Sequence, residues 1–229
     1  MKQVHIFDVD HTIISTSSGS HFAKRCIKKK IFSLKVLYRL PLYYLYYRYA
    51  SLKPSQMDNG LSEFKNVPRS TFDRIAKEAF ELGMKDSIYP NIQELIESLQ
   101  EQDHRIIIAT SSADFIVKPL ADYLGIREIV ATRLIFDEND MCTGRFDNGF
   151  ALGEGKLSKV EDYLKKEGTE LSSCAFYSDS YHDIPLLSKV GWPYPVNPDN
   201  RLSRFAKRKG WPVLKAGKTS LPLHQIIPA

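Results

Sequence analysis

The sequence predicts an α/β fold in which a parallel β-sheet is covered by helices on both faces. Along most of the chain, short and continuous apolar segments alternate with segments whose apolar residues recur at helical spacing. This alternation is typical of a parallel sheet, because the helices that connect parallel strands bury both of its faces. The stretch between residues 12 and 90 lacks a comparable strand pattern, and it predicts a helical insertion in the α/β domain.

The predicted strands and helices follow one another in a regular order. The first strand covers residues 4–7, and a helix after Pro90 leads to a second strand over 105–109. The later segments are a helix over 115–124, a strand over 128–132, a hairpin over 133–146, a helix over 157–164, a strand over 174–177, a short helix over 184–188, a strand over 194–196, a helix over 202–206 and an edge strand over 211–214. We therefore assign residues 1–15 and 86–229 to the α/β core domain, and residues 16–85 to the inserted helical domain.

Composition argues against several other classes of protein. With 43% hydrophobic and 26% charged residues, the chain can form an ordinary globular core. Its three cysteines are odd in number and share no metal-ligand spacing, so we expect neither a disulfide framework nor a zinc site. The sequence contains no signal-peptide pattern and no apolar run of membrane-spanning length, and we predict a cytoplasmic protein. The formal net charge of +5 is concentrated at residues 28–30 and 201–209, which we interpret as solvated helix faces and not as a nucleic-acid site.

A tyrosine-rich segment lies within the insertion. Residues 38–49 hold six of the twelve tyrosines in the chain. Packing of the insertion against itself and the core is the favoured interpretation, and contact with a substrate or a membrane is the alternative.

Two carboxylates directly follow the first predicted strand. Asp8 and Asp10 are two residues apart, so their side chains project on the same side at the carboxyl end of that strand. Open α/β sheets bind their ligands at this end. The pair alone is a weak signal, since acidic loops are common.

Three further groups follow at the ends of later strands or at the start of a helix. Thr110 and Ser111 follow the second strand, where hydroxyl and backbone N–H groups can hold phosphate oxygens. Lys156 lies at the start of a helix and could supply a positive charge. Asp179 and Asp183 follow the strand over 174–177 and suggest a hard cation. Singly, these residues could be a helix cap or a surface lysine, but together they predict a site for phosphate and a metal ion.

These motifs resemble those of the haloacid dehalogenase superfamily. The resemblance is to its subclass IB, whose members are similar to phosphoserine phosphatase and have a helical cap after the first motif. The resemblance spans nearly the whole chain, and it implies a three-layer, Rossmann-like core with residues 16–85 as the cap domain. Its most specific segments are Asp8-Val9-Asp10-His11-Thr12, Gly153-Glu154-Gly155-Lys156, Tyr177-Ser178-Asp179-Ser180 with Asp183, and Val196-Asn197-Pro198-Asp199 with Gly210-Trp211-Pro212.

The resemblance implies a Mg²⁺-dependent phosphatase that works through a phosphoaspartate intermediate. Asp8 would attack phosphorus, and Asp10 would protonate the leaving oxygen and then activate water. Mg²⁺ would be bound by Asp8, the backbone carbonyl of Asp10 and Asp179, with Asp183 orienting the metal's coordination shell. The residues implied to bind the phosphoryl oxygens are Thr110, Ser111 and Lys156.

Departures from the family pattern leave the substrate open. Phosphoserine phosphatases usually have a glutamate near the position of Ser17 and an asparagine at that of His182, so phosphoserine is one candidate, and a lipid or lysolipid phosphate is another. His11 stands where relatives often have glycine or serine, and we assign no catalytic role to His11 or His182. Lys159 is a rival to Lys156, although Lys156 matches the glycine-led spacing of the family. A phosphotransferase and a noncatalytic phosphate-binding module are the alternative functions, and the tyrosine-rich cap could touch a membrane peripherally.

Overall fold

A six-stranded sheet forms the centre of the protein. The computed structural model describes residues 3–30, 64–147 and 149–217. The strands are β1 (Val4–Phe7), β2 (Arg105–Ala113), β3 (Glu128–Phe136), β4 (Cys142–Asp147), β5 (Cys174–Ser178) and β6 (Trp192–Pro195). Their order in the sheet is β4-β3-β2-β1-β5-β6, and all neighbours are parallel except the hairpin pair β3 and β4. The predicted α/β class is confirmed, and the strand that precedes Asp8 is central.

Helices cover both faces of this sheet. Within the described ranges they are α1 (Ser18–Lys28), α2 (Arg69–Ala79), α3 (Pro90–Glu101), α4 (Asp114–Tyr123), α5 (Glu154–Lys165), α6 (Ile184–Leu187) and α7 (Asn200–Lys209). Apolar residues of α3 and α4 share one buried cluster with Phe7 of β1, whereas those of α5, α6 and α7 share a second cluster with Ile6. Successive side chains of a strand point to opposite faces, so these two clusters form the two core layers of a three-layer structure.

The described part of the insertion packs directly on the core domain. The rings of Phe22 in α1 and Phe72 in α2 stack with their centroids 6.5 Å apart. Both also pack on the Phe115 ring of α4, at centroid distances of 5.4 and 5.1 Å. The boundaries of the cap at residues 16 and 85 stay a prediction, and the tyrosine-rich segment lies outside the described residues.

One predicted strand is wrong. In place of an edge strand over 211–214, the structure has a single bridge between Leu214 and Val196. Pro212 has no N–H to donate to a neighbouring strand, and the Trp211 N–H donates to the Ala206 carbonyl at the end of α7. Gly210, with a φ of 69°, ends that helix, so this segment terminates a helix and does not extend the sheet.

The basic cluster of residues 201–209 lies on α7. Leu202 and Ala206 are buried on the inner side of the helix, while Arg201, Arg204 and Lys207 are exposed. This arrangement agrees with the interpretation as a solvated helix face. None of the helices in the described ranges has the length and apolar character needed to cross a bilayer.

A buried histidine lies on the central strand. His5 Nδ1 is 3.0 Å from the Tyr177 hydroxyl oxygen, and the His5 ring meets the His104 ring edge-on with centroids 5.0 Å apart. The other ring nitrogen, Nε2, is buried and has no hydrogen-bond partner among the described residues. Burial, assisted by the charge of His104, lowers the pKa of His5 to about 3.

We expect His5 to make the protein sensitive to acid. Because its folded-state pKa lies below the unfolded value of 6.5, the unfolded chain binds more protons between these two values. The contribution of His5 to stability is complete above pH 6.5, and it falls by about 1.4 kcal/mol per pH unit towards pH 3. At pH 4.5 the loss should be about 2 to 3 kcal/mol.

Urea unfolding at pH 7.0 and pH 4.5 measures this effect. The variant His5→Phe keeps a ring but cannot titrate. Between pH 7.0 and pH 4.5, its free energy of unfolding should therefore fall by about 2 kcal/mol less than that of the wild type. His104→Asn is the matched control and should keep most of the wild-type pH dependence, since burial is the main cause of the shift. Equal pH dependence in His5→Phe and the wild type would contradict the assignment.

Candidate active site

The carboxyl ends of β1, β2 and β5 meet in the middle of the sheet. Phe7 pairs with Ile108 of β2 and with Tyr177 of β5, and the Asp8 N–H donates to the Tyr177 carbonyl at 2.9 Å. This register brings the residues that follow β1 beside those that follow β5, next to the end of β2. The predicted residues Asp8, Thr110 and Asp179 therefore come from three neighbouring strand ends.

Lys156 places a buried ammonium group at this point. Its Nζ is 2.8 Å from Asp183 Oδ2 and 3.2 Å from Asp8 Oδ1, and the side chain is only 2% exposed. The Ser178 hydroxyl also donates to Asp183 Oδ2, at 2.6 Å. A buried charge is costly unless it is paired and hydrogen-bonded, so Asp183 stabilises Lys156 beside Asp8. The rival Lys159 instead donates to the Asp147 carbonyl at 3.1 Å.

The glycines before Lys156 are required by the backbone. Gly153, the residue that precedes α5, has φ 54° and ψ −123°, a combination that side-chain-bearing residues rarely adopt. A Cβ atom on Gly155 would lie 2.4 Å from the Phe150 carbonyl oxygen, which is too close for any larger residue without movement. These glycines allow the backbone to pass close to the Phe150 carbonyl group. As a result, α5 begins at Glu154 and Lys156 lies in its first turn.

Two carboxyl groups of the site resist ionisation. Burial raises the pKa of Asp8 to about 7, with the charges of Asp183 and Asp10 adding to the rise and that of Lys156 opposing it. Burial also raises the pKa of Asp179 to about 8, and the negative charges of Asp8 and Asp183 add to it. A hard divalent cation would stabilise carboxylates in such surroundings, and carboxylate oxygens are the ligands that Mg²⁺ prefers. The donor set therefore fits Mg²⁺.

The predicted metal site would use few side chains. Across residues 3–30, 64–147 and 149–217, no three His, Cys, Asp or Glu side chains form a ready metal-binding group. The predicted set explains this, because Asp10 is expected to contribute its backbone carbonyl and Asp183 contacts Lys156 and Ser178. This leaves Asp8 and Asp179 as the predicted side-chain ligands, and Mg²⁺ commonly binds one or two carboxylates and completes its shell with water and substrate.

The end of β2 carries the predicted phosphate-binding residues. Thr110 is buried, and its Oγ1 accepts the Ser112 N–H at 3.2 Å. The pairing of β2 with β3 is irregular between Thr110 and Ala113, so Ser111 and Ser112 leave the regular ladder. The Ser111 carbonyl accepts the Thr132 hydroxyl at 2.8 Å, which fixes the backbone of this turn.

Asp10 is held by serines at the start of α1 and by Ser112 of β2. Its Oδ1 accepts the Ser18 N–H at 2.8 Å, and its Oδ2 accepts the Ser112 hydroxyl at 3.1 Å. The Ser17 hydroxyl lies farther from Oδ2, at 3.4 Å. The Ser18 and Ser112 hydroxyl oxygens are 2.8 Å apart.

The first motif also contains a histidine in an uncommon conformation. His11 has a φ of 59°, a left-handed value that glycine adopts readily and other residues seldom do. The His11 Nδ1 lies 3.2 Å from the Ser15 carbonyl oxygen, and the His182 N–H donates to the Ser180 hydroxyl, so neither contact indicates a catalytic role.

Sequence analysis missed several residues that support the site. Thr12 Oγ1 accepts the Asp179 N–H at 3.0 Å, and Asp199 accepts the Tyr181 N–H at 2.9 Å. The Asp199 N–H also donates to the Asp179 carbonyl. Thr12, Ser178 and Asp199 all lie within the motifs that carry the family resemblance, so those motifs contained a signal for them. Ser112, which contacts Asp10, directly follows the predicted residues Thr110 and Ser111, whereas Ser17 and Ser18 lie outside the motifs.

The sequence matches a known protein family over most of its length. The model of the haloacid dehalogenase-like hydrolases matches residues 6–188. The chain belongs to this family. The "Inhibition of morphological differentiation protein" of Streptomyces azureus is 31% identical over 91% of this chain and 76% of its own length. A histidinol-phosphatase of Neisseria meningitidis serogroup C is 32% identical over 93% of this chain and 99% of its own.

Solved structures show the same haloacid dehalogenase-like fold. A protein of unknown function from Bordetella pertussis Tohama I has a TM-score of 0.83 at 22% identity, and the match covers 93% of this chain and 99% of the other. A substrate-bound phosphoserine phosphatase has a TM-score of 0.64 at 18% identity, and the match covers 96% of this chain and 95% of the other. The predicted family, its fold and the prediction of a phosphoric monoester hydrolase are confirmed.

Proposed function

We propose that this haloacid dehalogenase-like hydrolase cleaves a small phosphate monoester in a Mg²⁺-dependent reaction, through a phosphoaspartate on Asp8. The contact of the buried Lys156 ammonium with Asp8, at 3.2 Å, is the observation that supports this most directly. It joins a carboxylate nucleophile to a cation that can bind the transferred phosphoryl group. The negative charge of Asp8 contributes to the raised pKa of Asp179, so the two carboxyl groups lie close enough to interact.

In the first step, Asp8 acts as the nucleophile. One of its carboxylate oxygens forms a bond to phosphorus while the bond from phosphorus to the leaving oxygen breaks. Asp10 donates its proton to that oxygen, so the product leaves as a neutral alcohol. Lys156, Thr110 and Ser111 stabilise the negative charge on the phosphoryl oxygens.

In the second step, Asp10 acts as a base. It takes a proton from a water molecule whose oxygen attacks phosphorus, and the bond between phosphorus and Asp8 breaks. Inorganic phosphate leaves, Asp8 is again a carboxylate and Asp10 is again protonated. Asp8, Asp179 and the Asp10 carbonyl would hold Mg²⁺, which supplies positive charge that offsets the repulsion between Asp8 and the phosphate.

The substrate that we propose is the phosphate ester of an amino alcohol. The relative that matches over 99% of its own length is named as a histidinol-phosphatase, and a structural neighbour is a phosphoserine phosphatase. Histidinol phosphate and phosphoserine share a primary phosphate ester next to a carbon that bears an amino group. A cytoplasmic location suits such a small metabolite.

A substrate panel tests this function. We expect phosphate release from histidinol phosphate or phosphoserine, with kcat/KM at least about tenfold above that for p-nitrophenyl phosphate, because binding contacts add discrimination. A chelator should stop the reaction, and added Mg²⁺ should restore it. A preference for lysophosphatidate would replace the amino-alcohol class with a lysolipid, and transfer to added glycerol would show a phosphotransferase. Absence of phosphate release from all of these esters would overturn the proposed phosphatase.

A further inference from the structure

A chain of hydroxyl groups ends on the Asp10 carboxylate. The Ser112 hydroxyl donates to Asp10 Oδ2 at 3.1 Å, and the Ser18 hydroxyl oxygen lies 2.8 Å from that of Ser112. The Ser18 N–H donates to the other carboxylate oxygen, Oδ1, at 2.8 Å. Each oxygen of Asp10 is therefore held from a different element, because Ser18 begins α1 and Ser112 lies in β2.

The protons of this chain have only one arrangement when Asp10 is ionised. A serine hydroxyl has a single proton, and that of Ser112 is directed to Asp10. The proton between the two serines must then come from Ser18. Ser18 is fully buried, so its hydroxyl is removed from bulk water and depends on this partner. The longer contact from Ser17, at 3.4 Å, constrains Asp10 less.

We propose that Ser112, supported by Ser18, is a positioning residue that fixes the Asp10 carboxyl group for proton transfer to the leaving oxygen. The inference rests on the proposed function, in which Asp10 is the general acid. Proton donation depends on the donor lying within hydrogen-bond reach of the leaving oxygen and in the correct orientation. Hydrogen bonds to both oxygens restrict rotation of the Asp10 carboxyl group more than a bond to one oxygen would.

The backbone of Ser112 is held independently of its hydroxyl. The Ser112 N–H donates to Thr110 Oγ1 at 3.2 Å, and the neighbouring Ser111 carbonyl accepts the Thr132 hydroxyl. Replacement of Ser112 by alanine should therefore remove the contact with Asp10 while the irregular part of β2 keeps its shape. The effect on catalysis can then be separated from an effect on folding.

The leaving-group dependence of kcat/KM tests the proposal. The value of kcat/KM includes the step in which the alcohol departs. The p-nitrophenolate group leaves with little need for a proton, whereas phenolate needs one more strongly. For Ser112→Ala we expect a loss of roughly 10- to 100-fold with phenyl phosphate and less than about 3-fold with p-nitrophenyl phosphate. Ser18→Ala should show the same pattern to a smaller extent, because it keeps the N–H bond to Asp10. Ser112→Thr keeps the hydroxyl and should restore most of the activity.

Ser20→Ala is the matched control. Ser20 is an exposed serine of the same helix as Ser18, and its hydroxyl donates to the Ser17 carbonyl at 2.7 Å. Its replacement should change kcat/KM for both aryl esters by less than about twofold, as is usual for surface substitutions.

Asp10→Asn in the same series separates this inference from the proposed function. If Asp10→Asn loses no more activity with phenyl phosphate than with p-nitrophenyl phosphate, the acid role of Asp10 and the inference fall together. If Asp10→Asn shows the leaving-group pattern but Ser112→Ala loses both activities equally, or neither, the positioning role is overturned and the proposed function stands. Hydrolysis of p-nitrophenyl phosphate at nearly the wild-type rate shows that the Ser112→Ala protein is folded.

Discussion

Asp8→Asn should abolish hydrolysis, with a fall in kcat of roughly 10⁴- to 10⁶-fold, the size of effect that follows loss of an enzymatic nucleophile. An amide of the same shape cannot attack phosphorus, and the Lys156 ammonium loses one of its two carboxylate partners. Folding should be preserved, because Asp183 still pairs with Lys156 at 2.8 Å. Without metal, removal of a buried carboxyl with a raised pKa should leave the melting temperature unchanged or higher.

Phosphate release and thermal melting measure the two effects on Asp8→Asn. Acid quenching with labelled substrate should trap a phosphoprotein in the wild type and none in the variant. Asp122→Asn is the matched control, since Asp122 is an exposed aspartate that pairs with Lys118, and it should keep full activity. An Asp8→Asn protein with more than about 1% of the wild-type rate would exclude Asp8 as the nucleophile.

Lys156→Met should affect both catalysis and stability. The ammonium is 2% exposed and lies between two carboxylates, so its removal leaves Asp183 buried without its cation. We expect a loss of about 3 to 5 kcal/mol in the free energy of unfolding, and a fall in kcat/KM of about 10³-fold or more. Urea unfolding and phosphate release measure these changes.

Two variants show which part of the Lys156→Met effect comes from charge. Lys159→Met removes the rival lysine, whose ammonium group donates a hydrogen bond to the Asp147 carbonyl. This variant should keep activity and stability close to those of the wild type. Adding Asp183→Asn to Lys156→Met should recover part of the lost stability, because it removes the unpaired charge, but should not recover activity. If the double variant were as active as the wild type, Lys156 would have no role in the reaction.

Local patterns were sufficient to predict the centre of the sheet. The apolar residues of β1 and the two aspartates that follow are adjacent in sequence, so both the strand and the placement of the carboxylates could be inferred. The prediction of an edge strand over 211–214 was wrong because it rested on the local preference of these residues for strands. Local preference does not determine whether a segment pairs with a neighbouring strand. Pro212 could have indicated the error, because it lacks the N–H that a paired strand needs.

Contacts between distant residues could not be predicted in the same way. Ser18 and Ser112 are 94 positions apart, and only the fold brings both to Asp10. Similarly, the sequence identified Lys156 and Asp183 but gave no indication that they pair with each other, across 27 positions. Local motifs thus indicate which residues could form the site, whereas the hydrogen bonds between those residues depend on tertiary structure.

The positions of the two tryptophans determine what fluorescence can detect in this protein. Trp192 begins β6 at one edge of the sheet, and Trp211 follows α7, where its indole ring packs on Phe205 with centroids 5.3 Å apart. The chain has no other tryptophan. Tryptophan emission therefore reports on the core domain at that edge, and a dye attached to the insertion would report on a movement of α1 and α2.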